Sequence, residues 1–164
     1  MKYKIVRLAQ FDAHAATIYS VIIDNDNETL FEKFVRINIK QHKEEVMEIF
    51  GRIRTMATQT GARENFFIQW EGKPGDGVCA LFDEGKNLRL YCIRNGNLII
   101  ILGSGAHKPK SIRAYQQSPQ LLKEVKLMIK ISALLTDKIK EKEIKYSDDG
   151  RELLGNLELE DEEI

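Results

Sequence analysis

Three short apolar segments in the middle of the chain are joined by connections too short to hold a helix. They cover residues 78–82, 88–94 and 98–102. The second connection contains Asn95-Gly96, a dipeptide that favours a tight hairpin turn. Strand-length apolar segments joined in this way predict a three-stranded antiparallel meander.

Patterns on either side of the meander predict further strands and three helices. Residues 2–9 and 17–23 are predicted strands, the second because it is rich in β-branched residues. The polar cluster 24–27 offers an N-cap, and apolar residues at helical spacing predict a helical hairpin over about 30–38 and 42–58. Ser118-Pro119 has the pattern of an N-cap and first turn, and it opens a long helix over 119–140. The predicted fold class is α+β, with an antiparallel sheet packed against these helices.

The length of 164 residues fits one domain, here predicted as residues 1–146 followed by an acidic C-terminal extension, 147–164. A hairpin is predicted around Gly150. The helix over 119–140 is apolar on two sides, which is typical of a helix between two layers or at an interface and indicates a homodimer.

The chain is expected to be cytoplasmic and to have no membrane partner. No apolar run approaches the roughly 20 residues that span a bilayer, and no signal-peptide pattern follows Met1. Cys79 and Cys92 both lie in apolar segments, which predicts reduced thiols in the core.

Charge is distributed unevenly along a chain whose formal net charge is zero. Residues 36–146 carry a net charge of +8, and residues 147–164 carry −7. A basic body attracts polyanions, and an acidic tail can compete with them for the same surface.

Residues 85–123 contain no Asp or Glu, and this acid-free interval includes a glycine-rich segment, 103–110, that is predicted to be a basic loop. Cations at strand ends beside such a loop predict a phosphate-binding cleft. The interval carries His107 and seven Lys or Arg residues: Lys86, Arg89, Arg94, Lys108, Lys110, Arg113 and Lys123.

The order of these segments resembles the RelE/HigB superfamily of toxins from toxin–antitoxin pairs, and most closely its phage-derived HigB-like branch. The resemblance covers about residues 28–139. It is carried by GVCALF at 77–82, LRLYCIR at 88–94, NLIIIL at 97–102 and GSGAHKPK at 103–110.

The resemblance implies a RelE-like fold and a metal-independent, cofactor-free endoribonuclease that cleaves mRNA on the ribosome and is neutralised by a cognate antitoxin protein. Arg94 would neutralise the scissile phosphate, and Lys108 and Lys110 would stabilise the charge of the transition state. His107 and Tyr115 are the acid–base candidates.

Three further cations in the interval are candidate RNA contacts: Lys86, Arg89 and Arg113. For Arg89, packing or a surface ion pair is the alternative interpretation.

A second function class stays open, namely a non-catalytic module that binds RNA, the ribosome or a protein partner on the same fold. The neutral overall charge and the added terminal segments favour it.

His14, His42 and His107 lack metal-ligand spacing, so no metal site is predicted. Lys123, Lys126 and Lys130 are predicted to form a solvated helix face.

Overall fold

The computed structural model describes residues 1–68, 76–82, 87–108 and 118–161. The helices in these residues are α1 (Leu30–Asn38), α2 (Lys43–Thr55), which continues into a π-helical turn at Met56–Thr60, and α3 (Pro119–Lys140). The strands are β1 (Lys2–Arg7), β2 (Thr17–Ile23), β3 (Phe67–Ile68), β4 (Val78–Leu81), β5 (Leu88–Asn95), β6 (Ile99–His107), β7 (Ile144–Tyr146), β8 (Leu153–Gly155) and β9 (Glu158–Glu160).

Seven of the described strands form one sheet in the order β3-β4-β5-β6-β2-β1-β9, while β7 and β8 pair separately as a hairpin. The α+β class and the predicted β4-β5-β6 meander are confirmed. The prediction of an antiparallel sheet is wrong at its centre, because β2 runs parallel to β6. Two helices and strands β3 to β5 separate β2 from β6 along the chain, so no hairpin constrains this pair to be antiparallel.

Helices cover both faces of this sheet. Residues of α3 pack on one face with Tyr91, Ile93 and Ile101. Residues of α1 and α2 pack on the other with Cys92 and Leu102. Burial on both faces explains why the central segments are continuously apolar instead of alternating.

The amino end of α1 is fixed by two hydroxyl groups. Thr29 is the N-cap and forms a reciprocal capping box with Glu32, so the cap lies later than the predicted cluster 24–27. The buried Ser20 hydroxyl of β2 donates to the Leu102 carbonyl of β6 at 2.7 Å, and it accepts from the Phe31 amide at 3.2 Å. One hydroxyl therefore joins both parallel strands to the start of the helix.

Strand β6 is longer than predicted, since the segment 103–107, expected to belong to a loop, continues it as far as His107. A register shift between Leu90 and Cys92 marks a bulge in the β5–β6 ladder. A Cβ atom at Gly105 would lie 1.8 Å from the Arg89 carbonyl oxygen, and one at Gly103 would lie 2.4 Å from Met128 Sδ. These glycines are required by close packing around the bulge, not by loop flexibility.

The C-terminal segment that was predicted to be an extension contributes to the fold. The hairpin predicted around Gly150 is confirmed as β7–β8. Strand β9 adds to the edge of the main sheet beside β1, and its central residue Leu159 is completely buried.

The cysteines Cys79 and Cys92 are buried and free, as predicted. Burial, followed by the neighbouring Cys79 thiol, raises the pKa of Cys92 well above its ordinary value. The Cys92 thiol therefore stays protonated and is poorly reactive. None of the helices in the described part of the chain is both long enough and apolar enough to span a membrane.

Two glycine substitutions should change stability in opposite directions. Gly105→Ala should lower the free energy of unfolding by about 3 kcal/mol, because its Cβ has no room beside the Arg89 carbonyl. Gly51→Ala, in α2 with no neighbouring atom within 4 Å of a new Cβ, should raise it by about 0.5–1 kcal/mol. Urea unfolding of both variants measures this. Equal effects at the two positions would contradict the packing argument.

Candidate functional site

The residues predicted for a phosphate cleft lie at opposite ends of the β5–β6 ladder. Arg94 is opposite Ile100 at one end, whereas His107 is opposite Leu88 at the other. Six residues of extended strand separate the two ends, which corresponds to about 20 Å. The fold therefore does not bring Arg94 and Lys108 to one phosphate group.

The guanidinium group of Arg94 is engaged within the protein. Its Nε donates to the Ala62 carbonyl and one terminal nitrogen donates to Asn97 Oδ1, while Glu64 lies 3.9 Å away. The side chain is only 13% exposed. Arg94 joins the segment that follows α2 to the β5–β6 turn, which is a structural role.

His107 and Lys108 lie together at the far end of β6. The Lys108 amide donates to the Asn87 carbonyl at 2.7 Å. The His107 ring faces α2, where it stacks on His42 at a centroid distance of 4.3 Å, and its Nε2 lies 3.9 Å from Glu45 Oε1. No sequence pattern links His107 to α2, although His42 and Glu45 have the i, i+3 spacing of one helix face.

Arg89 lies near the same end but on the other face of the sheet. Its Cζ atom lies 5.3 Å from the centroid of the Phe82 ring, and one guanidinium nitrogen donates to the Leu88 carbonyl at 3.2 Å. These contacts agree with the alternative interpretation of Arg89, in which its side chain packs against neighbouring residues. Four other predicted site residues lie outside the described residues: Lys86, Lys110, Arg113 and Tyr115.

A cavity of about 400 Å³ lies between the start of α1 and α3, beside the start of β1, the end of β2 and Ser104 of β6. Its floor is largely apolar and its rim is basic. The lining residues are Met1, Tyr3, Ile23, Leu30, Lys33, Ser104, Lys123, Glu124, Lys126, Leu127 and Lys130. The predicted solvated face of α3 is therefore one wall of a concave site, and Lys33 of α1 supplies a cation from a different element.

Charge in this cavity is only partly balanced. Burial raises the pKa of Glu124, while the charges of Lys123 and Lys33 oppose that shift. Lys130 forms an ion pair with Asp161, just after β9, at 2.7 Å. The site can therefore receive an anion that has an apolar body.

No protein family model matches this chain, and neither a curated protein nor a solved structure matches it.

Replacing Glu124 should stabilise the protein at neutral pH. Its folded-state pKa is raised, so the folded protein holds this proton more tightly than the unfolded chain does, and ionisation costs stability as pH rises. Glu124→Gln should raise Tm by about 2 °C at pH 7. It should have no effect near pH 3, where the Glu124 carboxyl group is protonated and is as uncharged as the Gln amide. Differential scanning calorimetry at both pH values measures this.

The matched control is Glu44→Gln, an exposed residue in the first turn of α2. It should not raise Tm, because an acid near a helix amino terminus is favourable. An equal rise in both variants would show that a general charge effect, and not the burial of Glu124, is responsible.

Proposed function

We propose that this chain is a non-catalytic RNA-binding module that holds RNA phosphates on the lysine-rimmed cavity between α1 and α3. One observation carries the proposal. Four lysines from two elements, Lys33, Lys123, Lys126 and Lys130, surround a single concave site.

The chemistry of the cavity suits a strand of nucleotides. Lysine ammonium groups bind phosphates as point charges and release counterions from the nucleic acid. Lys123, Lys126 and Lys130 are spaced along one face of α3, so they can follow successive phosphates of a single strand. A volume of about 400 Å³ with an apolar floor can receive an unstacked base.

Cleavage by the mechanism that the resemblance implies receives less support. It requires a cation at the scissile phosphate beside an acid–base group. Arg94 is bonded within the protein at the other end of the ladder from His107. The endoribonuclease remains the second candidate, because His42, Glu45 and His107 form one group of possible proton donors and acceptors next to Lys108.

RNA affinity should depend on the cavity lysines. The triple variant Lys33→Ala, Lys123→Ala and Lys126→Ala should bind a fluorescein-labelled single-stranded RNA of about 12 nucleotides at least about 10-fold more weakly. The slope of log affinity against log salt should become shallower by about 2, since each lysine contact contributes roughly 0.7. Fluorescence anisotropy over a salt series measures both quantities.

A control with the same change in net charge separates the site from general electrostatics. Lys40, Lys43 and Lys145 are exposed and lie outside the cavity, and their triple replacement by Ala should preserve most of the affinity. An equal loss in both triple variants, or no RNA binding by the unaltered chain, would reject the proposal.

Expression in a bacterial host distinguishes binding from cleavage. The unaltered chain, induced from a tight promoter, should produce no new mRNA 5′ ends inside translated codons, because Arg94 is hydrogen-bonded to Ala62 and Asn97 and lies at the other end of the ladder from His107. Sequencing of 5′ ends after induction measures this. Growth arrest with new ends inside codons, both lost in His107→Ala, would establish the endoribonuclease and imply an antitoxin partner.

A further inference from the structure

A group of metal-ligand side chains lies beneath α2, away from the lysine-rimmed cavity. His42 is the N-cap residue of α2, Glu45 follows one turn later, and His107 ends β6. Each offers a ligand atom, and these three atoms all lie within 4.8 Å of one another. Two elements far apart in the sequence thus converge on one point with two imidazoles and a carboxylate.

The carboxylate of Glu45 is held in position by the backbone. Its Oε2 accepts a hydrogen bond from the Leu88 amide at 2.9 Å, while Oε1 lies on the side of His107. The Glu45 side chain is only 18% exposed. A carboxylate whose second oxygen is hydrogen-bonded in this way has the orientation typical of a metal ligand.

The two imidazole rings stack in parallel, with an interplanar angle of 3°. An imidazole nitrogen binds a metal ion in the plane of its ring, so one of the two rings must turn out of this stack for both to bind the same ion. Both histidines are partly exposed, which leaves room for such a rotation.

We propose that His42, Glu45 and His107 form a binding site for a divalent zinc ion. Two histidines and one glutamate are an established zinc ligand set that leaves the fourth tetrahedral position to water. Zinc bonds of about 2.0–2.1 Å place tetrahedral ligands roughly 3.3 Å apart. The three ligand atoms lie within 4.8 Å of one another, with those of Glu45 and His107 at 3.9 Å, so they must approach by up to about 1.5 Å to reach this spacing. Side-chain rotation at a partly exposed site permits this movement.

Zinc would connect the start of α2 to the end of β6. This role does not depend on RNA binding, because the lysine-rimmed cavity is built from α1 and α3 with none of these three residues. Failure of one proposal therefore leaves the other intact.

Titration of the full chain with ZnCl₂ tests the site. After treatment with EDTA and its removal, isothermal titration calorimetry at pH 7.5 should show one equivalent of zinc binding, and zinc should raise Tm. His42→Ala and His107→Ala should each weaken binding by about 10-fold or more and abolish the rise in Tm. His42 makes no side-chain cap hydrogen bond, so its replacement should leave the fold intact.

Two more variants sharpen the test. Glu45→Gln retains an acceptor for the Leu88 amide but removes the anionic ligand, and it should also weaken zinc binding. His14→Ala removes an exposed histidine outside the cluster and should bind zinc like the unaltered chain. The absence of saturable binding, or equal affinity in His14→Ala and His42→Ala, would overturn the proposal.

Discussion

The buried Ser20 hydroxyl stands at the junction on which the rest of the structure depends. It donates to the Leu102 carbonyl and accepts from the Phe31 amide, so it links the parallel contact of β2 with β6 to the first turn of α1. Beyond Leu102, β6 no longer pairs with β2 and continues only beside β5. This divergence positions Lys33 of α1 near α3, and it carries His107 towards α2. Both chemically distinctive regions therefore follow from the same junction.

The antiparallel β5–β6 ladder then decides how the cations of the acid-free interval can act. Neighbours across a hairpin are close, but residues near the two carboxyl ends of antiparallel strands are at opposite ends of the sheet. Arg94 and Lys108 are such a pair. They belong to the same acid-free interval of the sequence, but they lie at opposite ends of the ladder. The basic interval is consequently divided among a structural arginine, a packed Arg89 and the end of β6.

The sequence predicted those helices and strands whose ends are set by neighbouring residues in the chain. The start of α3 depends on Ser118 and Pro119, and its observed bounds equal the predicted ones. The strand to His107 was missed because Gly103 and Gly105 favour loops locally, whereas their role here is set by atoms of Met128 and Arg89. The pairing of His42 with His107 and the position of Lys33 beside α3 are tertiary contacts with no periodic signal. The homodimer and the antitoxin remain predictions.

The acidic C-terminal segment contributes a strand, β9, to the edge of the main sheet. Because Leu159 is buried in β9 beside β1, the segment's charges are held at the sheet edge, and Asp161 reaches Lys130 on the cavity rim. The Lys130 side chain is 46% exposed, and ion pairs at such positions contribute roughly 0–1 kcal/mol. The Asp161 side chain is only 19% exposed, so displacing it from Lys130 would leave a partly buried carboxylate without this partner. The pair joins the residue after β9 to α3 and reduces the positive charge at the cavity rim.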